Sequence, residues 1–128
     1  MIEEAYVSFE TAKLLKERKF DIKCNSYFIS DNEIALISNR RDFNNHGIYL
    51  SAPTQQMAMR WLREVWGIVI VTQPVVGEIG LTWEYRIIKF HLGKGYGSIN
   101  GTEFIKYGFK SYEEAVEAAI KCCLENLI

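Results

Sequence analysis

The sequence contains few of the residues on which metal sites and disulfide frameworks depend, with three cysteines and two histidines among 128 residues. Cys122 and Cys123 are adjacent on a predicted helix. Neighbouring side chains there point roughly 100° apart, which suits neither a disulfide between them nor a shared metal ion. Cys24, His46 and His91 stand alone in the sequence, with no recognised zinc spacing. We therefore expect folding to require no structural metal, bound nucleotide or other cofactor, or disulfide.

The sequence also lacks an excess of charge and any long apolar run. Its 15 basic and 16 acidic residues give a formal net charge of −1, whereas a general nucleic-acid binder is expected to be basic. No apolar run approaches the roughly 20 residues of a membrane span. Met1 to Glu4 lack the basic and apolar regions of a signal peptide. These features predict a cytoplasmic protein that makes no contact with a membrane.

The length fits one domain over residues 1–128. The polar, turn-rich stretch from Ser38 to Gly47 predicts a mobile loop and is the place where the domain would subdivide. That division would separate a helix plus hairpin (1–47) from a helix–sheet–helix part (48–128).

An amphipathic helix from Ala52 to Trp66 is the clearest pattern in the chain. Its small and apolar residues recur at helical spacing on one stripe that includes Val65. Pro53 fits the first helical turn, and Gly67 can adopt the positive φ that ends a helix. The residues predicted to be mostly buried in the core are Trp61, Leu62, Val65, Ile70, Ala115, Ala119 and Ile120.

Several segments have the composition of β-strands. Two short runs, 27–30 and 33–37, flank Asp31-Asn32 and predict a hairpin. The run 68–72 is apolar on both faces, which predicts a strand that is covered on both sides or central in its sheet. Further strands are predicted at 48–50, at 81–92 with a bulge or a change of environment near Ile87-Ile88, and at 103–109.

The last helix is predicted from a capping box, in which the Ser111 hydroxyl and the Glu114 carboxylate satisfy free helix amides. Glu117 and Lys121 are spaced for an ion pair on its outer face. The glycine-rich segment from Gly93 to Gly101 is not followed by a helix, as a phosphate-binding loop would be. We therefore interpret that segment as a flexible connector.

Short links between successive strands favour hairpins over crossovers. The predicted fold class is therefore α+β, with a mainly antiparallel sheet and three helices, the second and third packed on one sheet face. From Pro53 onward the order helix–strand–strand–strand–helix resembles the double-stranded-RNA-binding domain. In that family, lysines at the start of the last helix bind phosphates. Glu113, Glu114 and Glu117 stand here instead and would repel phosphate, so this resemblance concerns topology and argues against RNA binding.

Three segments, VSFETAKLLKE, SAPTQQMAMRWLREV and SYEEAVEAAIKCCLENLI, resemble a family of small uncharacterised proteins of phages, prophages and gut-bacterial genomes. These segments cover the three predicted helices. Members of that family often have glycine at the position of Lys19. The family has no established activity, so the resemblance implies a phage or mobile-element setting and no mechanism.

No arrangement of catalytic residues is recognisable. Asp21-Ile22-Lys23 resembles the acidic-x-Lys segment of some nucleases, but it follows a helix instead of ending a strand. We therefore predict a non-catalytic protein, most simply an adaptor or regulator that binds another protein or itself. The predicted interaction patch is Met59, Arg63 and Trp66, because these residue types are enriched in interfaces. Half-buried packing under a loop would explain them as well.

The alternative function is nucleic-acid binding through the basic first helix, which Ser8 caps and which runs to about Arg18, together with the Arg40-Arg41 loop. Acidic residues such as Glu10 and Glu17 interleave with the lysines of that helix. This mixture is typical of a solvated face, so nucleic acid is the second choice.

Overall fold

The computed structural model describes residues 4–45, 47, 49–90 and 102–128, with only the backbone described for residues 102 and 103. In this part of the chain the elements are, in order, α1 (Phe9–Glu17), β1 (Cys24–Ser30), β2 (Glu33–Arg41), a 3₁₀ turn (Phe43–Asn45), α2 (Gln55–Trp66), β3 (Ile68–Gly77), β4 (Gly80–Lys89), β5 (Thr102–Phe109) and α3 (Tyr112–Asn126). The order α2-β3-β4-β5-α3 confirms the predicted helix–strand–strand–strand–helix arrangement and the α+β class.

The strands form two antiparallel sheets, one of β1 and β2 and one with the order β3-β4-β5. The first sheet is the predicted hairpin, in which Ser30 pairs with Glu33 around Asp31-Asn32. In the second sheet β4 is central and β3 lies at an edge, so the prediction for 68–72 is wrong. Its apolar residues divide between the two sheet faces, and Val71, on the face opposite Ile70, is 40% exposed.

The pairing of β3 with β4 is regular from Ile68 opposite Lys89 to Gly77 opposite Gly80. No bulge occurs near Ile87-Ile88. The register shift of β4 lies instead between Trp83 and Tyr85, where it pairs with β5. Residues 91 and 92 of the predicted strand lie outside the described residues.

Helices α2 and α3 both pack against the three-stranded sheet, as predicted. The covered face includes Ile87, which is buried and pairs with Ile70. On the same face the Trp83 ring lies 5.7 Å from that of Tyr112 in α3. At the other end of β4, Lys89 Nζ donates to the Leu127 carbonyl oxygen at 2.6 Å. The sheet and the last helix are therefore joined along the length of β4.

Five of the seven predicted core residues are buried, namely Trp61, Leu62, Ala115, Ala119 and Ile120. Ile70 is half-buried. Val65 is 58% exposed, which contradicts the prediction. It lies in the last turn of α2, and its position on the apolar stripe there does not bring it against another element.

Helix α1 and the β1–β2 hairpin contribute to the same hydrophobic cluster as α2 and α3. The Phe20 ring, just after α1, meets Trp61 of α2 edge-on at 5.3 Å. Phe9 of α1 meets Phe28 of β1 in the same manner at 5.4 Å. Residues from Val7 to Phe28 therefore contribute to one core with α2 and α3.

The three helices begin at hydroxyl caps. Ser8, Thr54 and Ser111 each accept a hydrogen bond from the backbone N–H three residues later. At α3 the reciprocal half of the capping box differs from the prediction. Glu114 accepts from the Lys110 N–H at 3.2 Å instead of from Ser111, so the carboxylate reaches one residue further back along the chain.

Helix α1 ends in a Schellman motif, in which the Phe20 N–H donates to the Leu15 carbonyl and the Lys19 N–H donates to that of Lys16. Lys19 has φ +64°, in the left-handed region that glycine adopts at least cost. The C-terminal cap of α1 is therefore present with a lysine at the position that glycine occupies most easily.

The predicted Glu117–Lys121 ion pair does not form. Lys121 instead pairs with Glu10 of α1 at 2.8 Å, and Glu117 accepts from the Thr11 hydroxyl at 2.7 Å. Both side chains connect α3 to α1, because contacts between the helices compete with the local pair.

The predicted connector from Gly93 to Gly101 falls wholly outside the described residues, and the predicted short strand 48–50 does so at its first residue. Tyr49 and Leu50 do not form a strand, although the Leu50 carbonyl accepts from the Phe28 N–H at 2.9 Å. This bond attaches the chain before α2 to β1.

Candidate functional site

The three residues of the predicted interaction patch differ in how exposed they are. Arg63 is exposed and Trp66 is 37% exposed, whereas Met59 is 6% exposed and belongs to the hydrophobic core. The Trp66 ring lies 6.3 Å from that of Trp61, so its inner side rests on the core. Met59 therefore contributes no surface for binding. The buried face of α2 is wider than the apolar stripe predicted.

Arg40 and Arg41 lie on β2, which continues to Arg41, so most of the predicted loop from Ser38 to Gly47 is ordered as strand and 3₁₀ turn. The two arginines line a cleft of about 670 Å³, a volume typical of small-molecule sites. The residues that line it are Lys23, Tyr27, Ile37, Ser38, Asn39, Arg40, Arg41, Asp42, Phe43 and Tyr49. We call this the basic–aromatic cleft.

A large bulge in β2 forms one wall of the cleft. Cys24 pairs with Arg41 and Ser26 pairs with Leu36, so a single β1 residue lies opposite residues 37–40 of β2. All four of these residues, the β2 bulge, line the cleft. Extra residues in one strand of a pair bend that strand away from its partner, and such bulges are frequent at functional sites.

Aromatic rings form a second wall. The centroids of Tyr27 and Phe43 are 4.8 Å apart, and that of Tyr49 lies 5.3 Å from Tyr27 and 6.2 Å from Phe43. Phe43 is buried, and Tyr49 is 45% exposed. The three rings thus run from the core to the surface, and Tyr49 is the ring most available to a ligand.

Hydrogen bonds to side chains hold this wall in place. Asn44 donates from Nδ2 to the Phe20 carbonyl at 2.9 Å and accepts through Oδ1 from the Ser51 N–H at 3.0 Å. The buried Ser26 hydroxyl donates to the Ala52 carbonyl at 2.5 Å. The cleft is therefore attached both to the end of α1 and to the start of α2.

The charge of the cleft is predominantly positive, because the exposed cations Lys23, Arg40 and Arg41 share it with one carboxylate, Asp42. Behind it lies the buried Cys24 thiol. Burial raises the pKa of that thiol to about 11, and the nearby Asp42 carboxylate acts in the same direction. Cys24 is therefore a neutral thiol at pH 7 and a poor nucleophile.

The cations of α1 contribute less to this site than the sequence suggested. Lys16 Nζ donates to the carbonyls of Tyr49 at 2.9 Å and Gly47 at 3.3 Å, and Arg18 Nε donates to that of Leu124 at 3.3 Å. Lys13 lies over the Phe9 ring at 5.1 Å. These cations contact other parts of the protein, and of the three only Lys16 bonds a residue that lines the cleft, Tyr49.

The described residues contain no cluster of three or more histidine, cysteine, aspartate or glutamate side chains that could hold a metal ion. All three cysteines are free thiols. None of the helices in the described ranges is long and apolar enough to cross a membrane.

Sequence reasoning found Arg40 and Arg41 but missed the aromatic residues beside them. The available signal was the density of rings, since Tyr27, Phe43 and Tyr49 lie within the same stretch as the two arginines. Comparisons of the chain with protein-family models, curated proteins and solved structures found no match. The resemblance to a phage-related family therefore stays a prediction.

Proposed function

We propose that the protein binds single-stranded nucleic acid, without catalysis, in the basic–aromatic cleft. The observation that carries this proposal is the presence of three exposed cations and an exposed tyrosine in one concavity. Proteins that bind single strands combine these elements, because cations neutralise phosphates while aromatic rings stack on bases.

Each side chain has a distinct task in this proposal. Arg40 and Arg41, at the end of the β2 bulge, and Lys23, just before β1, bind successive phosphates. Tyr49 stacks on one unpaired base, and Tyr27 and Phe43 fix the position of the tyrosine ring. Stacking is worth about 1–3 kcal/mol per base, and the cations add the part of the affinity that depends on salt.

A single strand is favoured over a duplex for two reasons. Stacking on Tyr49 requires an unpaired base, since the faces of paired bases are covered inside a duplex. In addition, the exposed carboxylates of Glu113 and Glu114 lie at the start of α3, where a double-stranded-RNA-binding domain carries lysines. Duplex RNA would be repelled there.

The proposal is tested by fluorescence anisotropy with labelled single strands of about ten nucleotides, a typical length for one site. Arg40→Ala/Arg41→Ala should lower the affinity. In a plot of the logarithm of the binding constant against the logarithm of the salt concentration, the slope should also become less steep by roughly 0.7 for each lost phosphate contact. Tyr49→Ala should lower the affinity while leaving the salt dependence unchanged.

The matched control is Lys106→Ala/Lys110→Ala, which removes the same amount of charge from exposed positions that do not line the cleft. Equal losses in the two double variants would assign binding to overall charge and overturn the proposal. It would also fail if the unaltered protein bound no oligonucleotide at low salt.

A second candidate function is protein binding by a cytoplasmic adaptor or regulator of phage origin, through the exposed end of α2. The observation that favours it is the exposure of Val65 and Trp66 beside Arg63. Aromatic residues and arginine are enriched in interfaces. Capture of partners from host lysate, with and without nuclease and at two salt concentrations, separates the candidates. Partners that persist in both treatments and are lost with Trp66→Ala would support this function.

A further inference from the structure

Asp42 is an acidic side chain in a cleft whose other charged residues are cations. One carboxylate oxygen, Oδ2, accepts from the Asn45 side chain. The other, Oδ1, is buried and accepts no hydrogen bond from any residue the structure describes. A buried acceptor without a donor is costly. Asp42 lines the cleft, so this unpaired acceptor belongs to a side chain that a bound ligand can reach.

We propose that Asp42 selects guanine at the base-stacking position of the cleft, an inference that rests on the proposed single-strand binding. An ionised carboxylate can only accept hydrogen bonds. Guanine offers two adjacent donors on its pairing edge, the N1–H and the 2-amino group. Adenine and cytosine place a ring acceptor beside their amino group, and uracil and thymine place one N–H between two carbonyls. Those acceptors repel a carboxylate.

The placement of Asp42 fits this role. It directly precedes Phe43, whose ring is 4.8 Å from that of Tyr27 in the aromatic wall. A base that stacks on that wall presents its hydrogen-bonding edge to the neighbouring side of the cleft. Rotation about the terminal bond of aspartate is soft, so either oxygen can face the ligand. A base without the two donors leaves the carboxylate unpaired, and buried polar groups discriminate by this means.

The test uses single strands of thymidine of about ten nucleotides that carry one central guanine, adenine, cytosine or hypoxanthine. The unaltered protein should prefer the guanine strand roughly tenfold, in the range expected of a paired hydrogen-bond contact to one base. Hypoxanthine keeps the N1–H but lacks the 2-amino group, so its strand should bind with intermediate affinity.

Asp42→Asn should abolish the preference, because the guanine strand loses the ionised acceptor for its two donors. The adenine and cytosine strands should bind at least as well as before, because a negative charge near the phosphates is removed. Asn45→Ala is the control for a structural role of the aspartate. It breaks the Asp42–Asn45 hydrogen bond but leaves the carboxylate, so the guanine preference should persist.

Equal affinity of the unaltered protein for the four strands would overturn the selection of guanine while leaving the proposed function intact. A preference that survives Asp42→Asn, or one that disappears with Asn45→Ala, would also overturn it. Absence of binding to every strand would instead refute the proposed function itself.

Discussion

The Lys16 ammonium donates a hydrogen bond of 2.9 Å to the carbonyl oxygen of Tyr49. This bond joins the last turn of α1 to the residue whose ring is the most exposed part of the cleft's aromatic wall. A second bond from the same ammonium reaches the Gly47 carbonyl at 3.3 Å. The cation therefore fixes the backbone on both sides of residue 48, and it positions the tyrosine without lining the cleft.

Lys16→Met should consequently reduce affinity for single strands a few-fold by loosening the Tyr49 backbone. Because Lys16 is bound to protein carbonyls and not to phosphate, the salt dependence of binding should stay that of the unaltered protein. Anisotropy titrations at several salt concentrations measure both quantities. A flatter salt dependence would mean that Lys16 contacts phosphate directly.

Trp61→Ala should destabilise the protein by about 3–5 kcal/mol, as expected for a buried aromatic side chain. Trp61 is 3% exposed, and its ring packs edge-on against that of Phe20. Val65→Ala is the comparison on the same helix, and it should change stability by less than about 0.5 kcal/mol because its side chain is largely exposed. Urea denaturation followed by tryptophan fluorescence or circular dichroism measures both. Similar midpoints for the two variants would contradict the observed burial.

Lys19→Gly should stabilise the protein by about 1 kcal/mol, since glycine adopts the left-handed conformation without the steric cost that a side chain carries. Lys19→Ala removes the charge but retains the Cβ, so it should bring no comparable gain. The thermal unfolding midpoints of the three proteins measure this effect. The midpoint of Lys19→Gly should lie above those of the unaltered protein and of Lys19→Ala. An equal gain from alanine would attribute the effect to charge.

Stability should fall as the pH rises above the ordinary thiol value of 9.0. Burial raises the pKa of Cys24 to about 11 and that of Cys123 to about 12. Between the ordinary and the raised values the unfolded chain loses protons that the folded chain retains, so alkaline conditions favour unfolding. Urea midpoints from about pH 8 to about pH 11 should therefore decline. In Cys24→Ala the decline should be shallower, and an identical slope would exclude Cys24 as a contributor.

The local signals in the sequence predicted the elements well, because they depend on neighbouring residues. Ser8 and Ser111 begin helices through their own hydroxyls, and Asp31-Asn32 closes a hairpin whose turn needs only those two residues. The predicted start of α2 at Ala52, with Pro53 in the first turn, was wrong, because Thr54 caps that helix and it begins at Gln55. The α+β class followed from the order of these elements. None of this required knowledge of which surfaces meet.

The errors arose where distant parts of the chain compete with local rules. Lys121 is spaced to pair with Glu117 but meets Glu10 of another helix. Met59 is at the edge of an apolar stripe, yet it is buried. The cleft depends on a register shift between β1 and β2 and on Tyr49, which comes from a third segment. A sequence pattern with a period of two residues gives no sign of residues that leave the pairing. The density of rings in residues 27–49 could indicate an aromatic cluster, but not that the cluster forms one wall of a cleft.

The β2 bulge has a consequence for how the chain can change in evolution. In a regularly paired strand, inserting or deleting one residue moves every later side chain to the opposite face. Residues 37–40 have a single β1 residue opposite them, so a change of length there can be absorbed before the pairing resumes at Arg41. The width of the cleft is thus free to vary among descendants of this sequence while the hairpin and the hydrophobic core keep their register.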